Sequence, residues 1–147
     1  MVSKKDEKIL KILQNGARIP ISEIANQVNL SENGVRYRLE KLENEGYINN
    51  YTILLNPSKF GKKTLAFFNL EMQPKKMKSS LKNLIEIDEF IKIYQTTGQY
   101  SIKAVGLFDD EGDLSNFINN KLLLHFPIQN YSVEIVTKRI KDTVYNI

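Results

Sequence analysis

Apolar side chains in the first third of the chain recur every three or four residues, which is the period of an amphipathic helix. The first stripe predicts a helix over residues 6–13, with Ser3 as its N-cap and Asn15 and Gly16 at its end. The second stripe predicts a short helix that opens near Pro20 and closes at Asn29. The chain is therefore expected to begin with two short helices.

A third helix is predicted from Ser31 to about Glu45, followed by Gly46 at the position where a glycine commonly ends a helix. Only Asn29 and Leu30 separate its N-cap from the preceding helix. This is the spacing of a helix-turn-helix, in which the second helix of the pair reads DNA.

The third helix has one narrow apolar stripe, formed by Val35, Leu39 and Leu42 at about 100° per residue, and this stripe must face the core. The opposite face presents polar and aromatic side chains: Asn33, Arg36, Tyr37, Glu40 and Asn44. Asparagine can bond adenine bidentately, and arginine can bond guanine in the same way. The pattern predicts base contacts by this face.

Other groups on the same helix suit phosphates. Ser31, the helix N-terminus and the flanking Arg38 and Lys41 are of the types that contact a DNA backbone. The helix has a second interpretation as an ordinary solvated surface, because its four glutamates outnumber its three basic residues.

After Gly46 the pattern becomes extended. Residues 47–55 are rich in β-branched and aromatic side chains and predict a strand, which Asn56 and Pro57 end. The predicted organisation has three parts: a helix-turn-helix domain over 1–47, a strand and linker over 48–62, and a second domain over 63–147.

The second domain alternates strands with amphipathic helices. The predicted elements, in order, are a strand over 65–72, a helix over 75–87, strands over 90–97 and 100–108, a helix over 109–126 and a strand over 128–138. This βαββαβ order is the ferredoxin-like arrangement, so the predicted fold class is α+β, with a β-strand linker between the two domains.

A ferredoxin-like sheet carries both helices on one face and leaves the other face bare. Because apolar residues are expected on the bare face, exposing it to water would be costly. We therefore expect dimerisation through the sheets. The strand over 47–55 can pair with its equivalent in the partner chain.

The composition excludes several kinds of chemistry. The 147 residues include no cysteine and one histidine, His125, so thiolate zinc sites and cysteine nucleophiles are excluded. We predict no metal, no cofactor and no catalytic residues. No run of about 18 apolar residues is present, and we expect a cytoplasmic protein that does not bind membranes.

The net charge of +4 permits DNA binding but does not require it. Residues 1–52 hold eight Lys or Arg against seven Asp or Glu, a net of +1. Residues 53–147 hold thirteen against ten, a net of +3. No basic block stands out, so a few well-placed charges must carry any contact with phosphates.

Two motifs stand out in the first 57 residues, LSENGVRYRLEKLENEGYI and the following YTILLNP. In these motifs the chain resembles the Lrp/AsnC family of feast/famine regulators. The second half is similar to the effector-sensing domain of that family in strand order and in its glycine turn, TTGQY. The resemblance implies an archaeal or bacterial transcription regulator that binds double-stranded DNA. It also implies a homodimer that assembles into octamers or similar rings.

The resemblance also implies roles for individual residues. The recognition-helix positions map without gaps onto Asn33, Gly34, Arg36, Tyr37, Arg38 and Lys41. Ser22, at the start of the second helix, is implied to lie near the DNA backbone.

The family's effector, an amino acid, binds between dimers. Its pocket maps here onto a loop and part of the last strand: Gly98, Gln99, Tyr100, Ser101, Glu134, Ile135 and Val136. The family commonly has acids at the positions of Gln99 and Ser101, and this chain has neither. The usual anchor for the ligand's ammonium group is therefore missing.

Glu134 is an acid on an otherwise neutral strand and needs a partner. One interpretation is a basic amino-acid ligand such as lysine or arginine. The other is a structural ion pair with Lys138, or with Lys92 across the sheet.

The sequence is compatible with three functions. The first is a sequence-specific regulator that responds to an amino acid. The second is an architectural DNA-binding protein with little sequence preference or no effector response. The third, a tetrapyrrole decarboxylase related to the same family, would have little beyond His125 and Arg139 to work with in the second domain. We therefore predict a protein that is not an enzyme.

Overall fold

A computed structural model describes residues 2–16 and 18–141 of the chain. These residues divide into two compact units: the first extends to Leu54 and also includes Ile140 and Lys141, and the second is Leu55–Arg139. The last six residues of the predicted second domain, 142–147, lie outside the described residues.

The first unit contains three helices, α1 (Lys4–Asn15), α2 (Ile21–Val28) and α3 (Glu32–Asn44). Ser3 caps α1 by accepting a hydrogen bond from the Asp6 backbone N–H at 3.2 Å. Asp6 returns a bond by accepting from the Ser3 N–H, which completes a capping box.

The connection between α2 and α3 depends on one residue in the left-handed region. Asn29 ends α2 with a φ of 53°, a conformation that asparagine tolerates better than most side chains. Ser31 then caps α3, and Gly46 follows the helix with a φ of 75°. The predicted ends of α2 and α3 are confirmed.

The core of the first unit is formed where the three helices meet. Its fully buried side chains come from every helix and are all apolar: Ile9, Ile24, Ala25, Val28 and Val35. Leu42 is also buried, and Leu39 is partly buried. The stripe predicted for α3 is therefore the inner face of that helix.

The segment after α3 differs from its prediction. Residues 48–56 adopt no helix or strand in the single chain, although a strand was expected over 47–55. The backbone N–H groups of Tyr47 and Ile48 donate to the Leu42 carbonyl, in continuation of the helix end. A β-rich sequence forms a strand only where a second backbone lies beside it, and Ile53 and Leu54 are more than 70% exposed.

The second unit has the predicted order of elements. Its strands and helices are β1 (Thr64–Met72), α4 (Met77–Leu84), β2 (Phe90–Gln95), β3 (Ile102–Phe108), α5 (Glu111–Phe117), α6 (Leu123–His125) and β4 (Ile128–Ile135). Short 3₁₀ turns span Pro57–Phe60 and Pro74–Lys76, and a π-helical turn over Ile118–Leu122 joins α5 to α6. The helix expected over 75–87 is shorter in the structure. The 3₁₀ turn takes up its predicted start, so α4 begins at Met77, and it ends at Leu84.

The four strands form one antiparallel sheet in the order β2-β3-β1-β4. Alternate residues of β1 point to opposite faces, as the pleat requires. Ala66, Phe68, Leu70 and Met72 are buried on the helix side, while Phe67 on the other face is 44% exposed. This is the ferredoxin-like sheet that the sequence predicts.

Four phenylalanines fill the centre of the second core. Phe68, Phe90, Phe108 and Phe117 pack with ring centroids 5.1 to 5.9 Å apart, mostly edge to face. Gly106 makes this close packing possible, because a Cβ at that position would lie 2.7 Å from the Phe108 ring.

Candidate DNA-binding and effector sites

The buried side chains of α3 determine which of its other side chains face solvent. Val35 and Leu42 are 0% and 3% exposed, which fixes the rotation of α3 in the first unit. Asn33, Arg36 and Tyr37 therefore project to solvent, and Tyr37 is 69% exposed. The side chains predicted to read bases lie together on one exposed surface.

The N-terminus of α3 is shaped by its cap. The Ser31 hydroxyl accepts a hydrogen bond from the Gly34 N–H at 3.1 Å. A Cβ on residue 34 would lie 3.2 Å from that hydroxyl oxygen, so a larger residue than glycine would crowd the capping hydroxyl. Ser31 and Gly34, both predicted to contact DNA, thus shape the helix end that a phosphate would approach.

The charged side chains on the outer face of α3 form only weak ion pairs among the described residues. Arg36 lies 3.8 Å from Glu32, and Lys41 lies 3.7 Å from Glu45, each pair spaced i, i+4 on α3. All four side chains are about half exposed or more. Pairs of this kind contribute little to stability, so both cations are available to an incoming phosphate or base.

Arg38 is in a different position. Its Nη1 atom lies 2.6 Å from Asp6 Oδ1 and 3.1 Å from the Ser3 hydroxyl, and its side chain is 30% exposed. Burial of the Asp6 carboxyl acts to raise its pKa, but hydrogen bonds from Ser3 and Arg38 outweigh this and hold the pKa below its ordinary value. Arg38 joins α3 to the start of α1, and its predicted DNA contact stays a prediction.

Ser22 lies in the first turn of α2, where its side chain is exposed. The residue before this helix is Pro20, which makes no side-chain cap. The Glu23 N–H already donates to the Pro20 carbonyl at 3.0 Å, so a phosphate contact at this end of α2 would depend on the exposed Ser22 hydroxyl.

The loop predicted to bind the effector is held by its own hydrogen bonds. Thr96 donates from its hydroxyl to the Tyr100 carbonyl at 2.8 Å, and Gly98 turns the chain with a φ of 107°. The Ser101 hydroxyl accepts from the Met72 N–H at 3.2 Å, which ties the loop to the end of β1. Gln99 is exposed and has no fixed partner among the hydrogen bonds of the described residues.

Glu134 does not form either of the ion pairs predicted for it. Its carboxylate accepts a hydrogen bond from the Asn69 amide at 3.3 Å, and the same amide nitrogen donates to the Ser132 hydroxyl at 3.0 Å. Among the described residues neither Lys92 nor Lys138 pairs with it. The reason is strand order: β2 and β4 are the two edges of the sheet, so Lys92 lies too far away.

The last-strand residues of the predicted site face different ways. Glu134 is opposite Phe67 on the open face, and Ile135 is opposite Ala66 on the helix side. The Val136 N–H donates to the Leu65 carbonyl at 2.8 Å.

Within one chain the two parts of the predicted effector site are far apart. The loop 98–101 precedes Ile102, which pairs with Leu70, whereas Ile135 pairs with Ala66. These positions are four residues apart along β1, a distance of about 13 Å. One protomer alone does not bring the loop and residues 134–136 together.

The open face of the sheet has a shallow depression of about 370 Å³. Its lining mixes aromatic, polar and charged side chains: Phe67, Asn69, Tyr94, Lys103, Val105 and Glu134. This mixed surface differs from the mainly apolar face expected from the sequence.

Residues 2–16 and 18–141 contain neither a metal-binding cluster nor a membrane-spanning helix. Nowhere in these ranges do three metal-ligating acids or histidines gather into a cluster. None of the helices within them is both long and apolar enough to cross a membrane.

The geometry described above defines a class of protein, a helix-turn-helix unit joined to a ferredoxin-like unit. Residues 2–49 match the family described as winged helix-turn-helix DNA-binding, and residues 65–145 match the Lrp/AsnC ligand binding domain. The chain belongs to the Lrp/AsnC family of DNA-binding transcription regulators.

Known relatives agree with this assignment over nearly the whole chain. The transcriptional regulator Ptr1 of Methanocaldococcus jannaschii is 32% identical over 142 residues, which cover 97% of this chain and 96% of the relative. Among solved structures, AsnC of E. coli superposes with a TM-score of 0.92 at 27% identity, covering 99% of this chain and 98% of AsnC.

A second solved structure contains a ligand. A transcriptional regulator of Neisseria meningitidis in complex with L-methionine has a TM-score of 0.92 and 27% identity, covering 97% of this chain and 94% of the regulator. Family and fold are thus confirmed as the sequence predicts them.

Proposed function

We propose that the chain acts as a homodimer in which two copies of α3 enter successive major grooves, about 34 Å apart, of one pseudo-palindromic site. The observation that carries this proposal is the exposed row of Asn33, Arg36 and Tyr37, held outward by the buried Val35 and Leu42. The row places bidentate hydrogen-bonding groups near a capped helix N-terminus, as base readout requires.

Phosphate contacts are assigned around that row. Lys41 and Ser22 are exposed and supply a cation and a hydroxyl. Ser31 and Gly34 hold the end of α3 in the shape that presents its N–H groups. Arg38 acts through Asp6 by fixing α3 on α1, so its main contribution is to position the helix.

Replacing Arg36 tests the placement of the reading helix. Because Arg36 makes only a weak pair with Glu32, Arg36→Ala should leave folding unchanged and reduce affinity for the specific site by about 10-fold to 100-fold. Arg18, exposed and outside α3, provides the matched control as Arg18→Ala. Unchanged affinity in Arg36→Ala would show that another surface reads the DNA.

Assembly through the open sheet face is the second part of the proposal. Phe67 and Tyr94 are 44% and 53% exposed on that face, and a second copy of the sheet would cover both. The loop 98–101 and residues 134–136 lie about 13 Å apart along one sheet. An effector site that uses both sets therefore needs more than one protomer, consistent with an octamer or similar ring.

The effector is proposed to be an amino acid. The related regulator from Neisseria meningitidis was solved with L-methionine, which favours an apolar side chain. Within the described part of the chain Glu134 accepts one amide hydrogen bond, at 3.3 Å, and so retains capacity for a cationic side chain. Calorimetry with methionine, leucine, glutamine, lysine and arginine separates the two, since heat from lysine and arginine alone would favour Glu134 as the selecting group.

One observation favours an alternative, in which the protein is a regulator that does not respond to an effector. The Ser101 hydroxyl is engaged with the backbone of β1, and no carboxylate replaces it in the loop. If none of the amino acids produces heat or changes DNA affinity, the ligand-binding domain serves assembly. The ratio of specific to random DNA affinity then decides between a regulator and an architectural protein.

A further inference from the structure

Four lysines lie close together on one exposed element of the second unit. The turn Pro74–Lys76 and helix α4 carry this α4 lysine patch, which consists of Lys75, Lys76, Lys78 and Lys82, all exposed. No aspartate or glutamate occurs between Glu71 and Glu86. The element is uniformly positive, contrary to the expectation that no basic block stands out.

None of the four ammonium groups has an acidic partner among the described residues. Other lysines of the same unit do, since Lys62 lies 2.8 Å from Asp109 and Lys121 lies 2.7 Å from Glu89. Lys78 and Lys82 are spaced i, i+4, which places like charges side by side and disfavours the helix. A patch that repels itself and lacks internal partners is suited to an external anion.

The net positive charge of the second unit comes from the α4 lysine patch. Residues 55–139 hold twelve Lys or Arg and nine Asp or Glu, a net of +3. Without the four lysines the count would be eight against nine, a net of −1. The helix-turn-helix unit has a net of only +1 over residues 1–54, with eight bases and seven acids, and therefore has little charge of its own for neutralising phosphates.

The orientation of α4 is fixed by its inner face. Ser80 and Leu84 are buried, and Met77 and Leu81 pack against the core. The lysines consequently occupy the solvent side. Beside Lys76 a shallow depression of about 400 Å³ is lined by polar groups that can also contact phosphate oxygens: Ser79, Asn83 and His125.

We propose that the α4 lysine patch binds backbone phosphates of DNA that flanks the base pairs read by α3. The proposal rests on DNA binding through α3. Lysine is a flexible point charge that gives affinity without sequence readout, so the expected partner is the phosphate backbone and not base edges.

Charge-matched variants test the patch. The variant K75Q/K76Q/K78Q/K82Q removes it, and glutamine retains high helix propensity. The control K59Q/K63Q/K138Q/K141Q removes four exposed lysines elsewhere that likewise make no ion pair within the described part of the chain. Circular dichroism and light scattering show that fold and assembly are unchanged. Fluorescence anisotropy measures affinity over a range of salt for a short specific duplex and for the same site with long flanks.

On the flanked duplex, the slope of log K against log salt should become shallower by about 0.9 for each phosphate that the variant no longer neutralises. Two such phosphates per protomer, which is four per dimer, would change the slope by about 3.6. The control variant and the short duplex should show no such change.

Three results would overturn the proposal. The first is an unchanged slope for the patch variant on flanked DNA, and the second is an equal change in the control variant, which would make bulk charge responsible. The third is an equal change on the short duplex, which would place the phosphates within the site that α3 reads. If wild type binds no DNA, the proposed function fails with it. If Arg36→Ala loses affinity while the patch variant does not, only the patch proposal fails.

Discussion

The Arg38–Asp6 ion pair joins two helices of the DNA-binding unit, and we expect its removal to destabilise the protein. The ion pair is 2.6 Å long, and the side chains of Arg38 and Asp6 are 30% and 12% exposed. Arg38→Ala would leave the Asp6 carboxylate largely buried, and its remaining hydrogen bonds among the described residues would be the capping bonds to Ser3. A desolvated charge that loses its partner costs free energy.

The size of the effect lies between two limits. Exposed ion pairs contribute about 0–1 kcal/mol, whereas breaking a fully buried pair costs about 3–5 kcal/mol. This pair is mostly but not fully buried. We therefore expect Arg38→Ala to lower the free energy of unfolding by about 2 kcal/mol at neutral pH, in line with charged hydrogen bonds.

The pH dependence has a definite sign. The pKa of Asp6 in the folded chain lies below its ordinary value of 3.8, against the effect of burial, because Ser3 and Arg38 hydrogen-bond the carboxylate. The stabilisation is complete above the ordinary pKa and is lost as the pH falls through the folded value. The difference between wild type and Arg38→Ala should therefore persist down to about pH 4 and shrink below it.

Urea denaturation at fixed protein concentration measures these differences. A double-mutant cycle with Asp6→Asn isolates the pair. Arg36→Ala is the control, since its 3.8 Å pair is more than half exposed and should contribute less than about 0.5 kcal/mol. A destabilisation in Arg38→Ala no larger than in this control, or one that is the same at pH 3 and pH 7, would refute the reasoning.

Three further changes give distinct outcomes. Gly106→Ala should lower stability by about 1–3 kcal/mol in thermal unfolding, since its Cβ would lie 2.7 Å from the Phe108 ring. Asn29→Ala should cost about 1 kcal/mol because its φ is 53°, while Asn29→Gly should cost nothing. Phe67→Glu, on the open sheet face, should reduce the mass in light scattering, whereas Leu124→Glu, at a position 70% exposed on α6, should not.

In the first unit, helix ends were predictable from the sequence because a cap involves neighbours within three or four positions. Ser3 and Ser31 accept backbone N–H groups three residues ahead, as expected. Asn29 and Gly46 take the left-handed conformations that their residue types allow. The element order of the second unit followed equally from local periodicity.

Contacts between distant parts of the chain were not predictable in this way. Arg38 and Asp6 are 32 positions apart, and a helical wheel places Arg38 on a flank without showing what faces it. Asn69, the partner of Glu134, is 65 positions away and becomes its neighbour only through the pairing of β1 with β4.

Two other predictions, the strand over 47–55 and the absence of a basic block, were wrong for specific physical reasons. The strand expected over 47–55 needs a second backbone, which one chain does not supply. The α4 lysine patch is plain in the letters KKMKSSLK. A net charge taken over half the chain concealed it, because acids elsewhere in that half offset the four lysines in the sum.

The most direct test of sequence-specific regulation is an anisotropy titration with DNA from upstream of the protein's own coding sequence. Random DNA is the competitor, and each titration is repeated with amino acids present. We expect affinity for the upstream site to exceed that for random DNA by about 1,000-fold or more. We also expect one amino acid to change it. Equal affinity for both DNAs at physiological salt would contradict sequence-specific readout by α3.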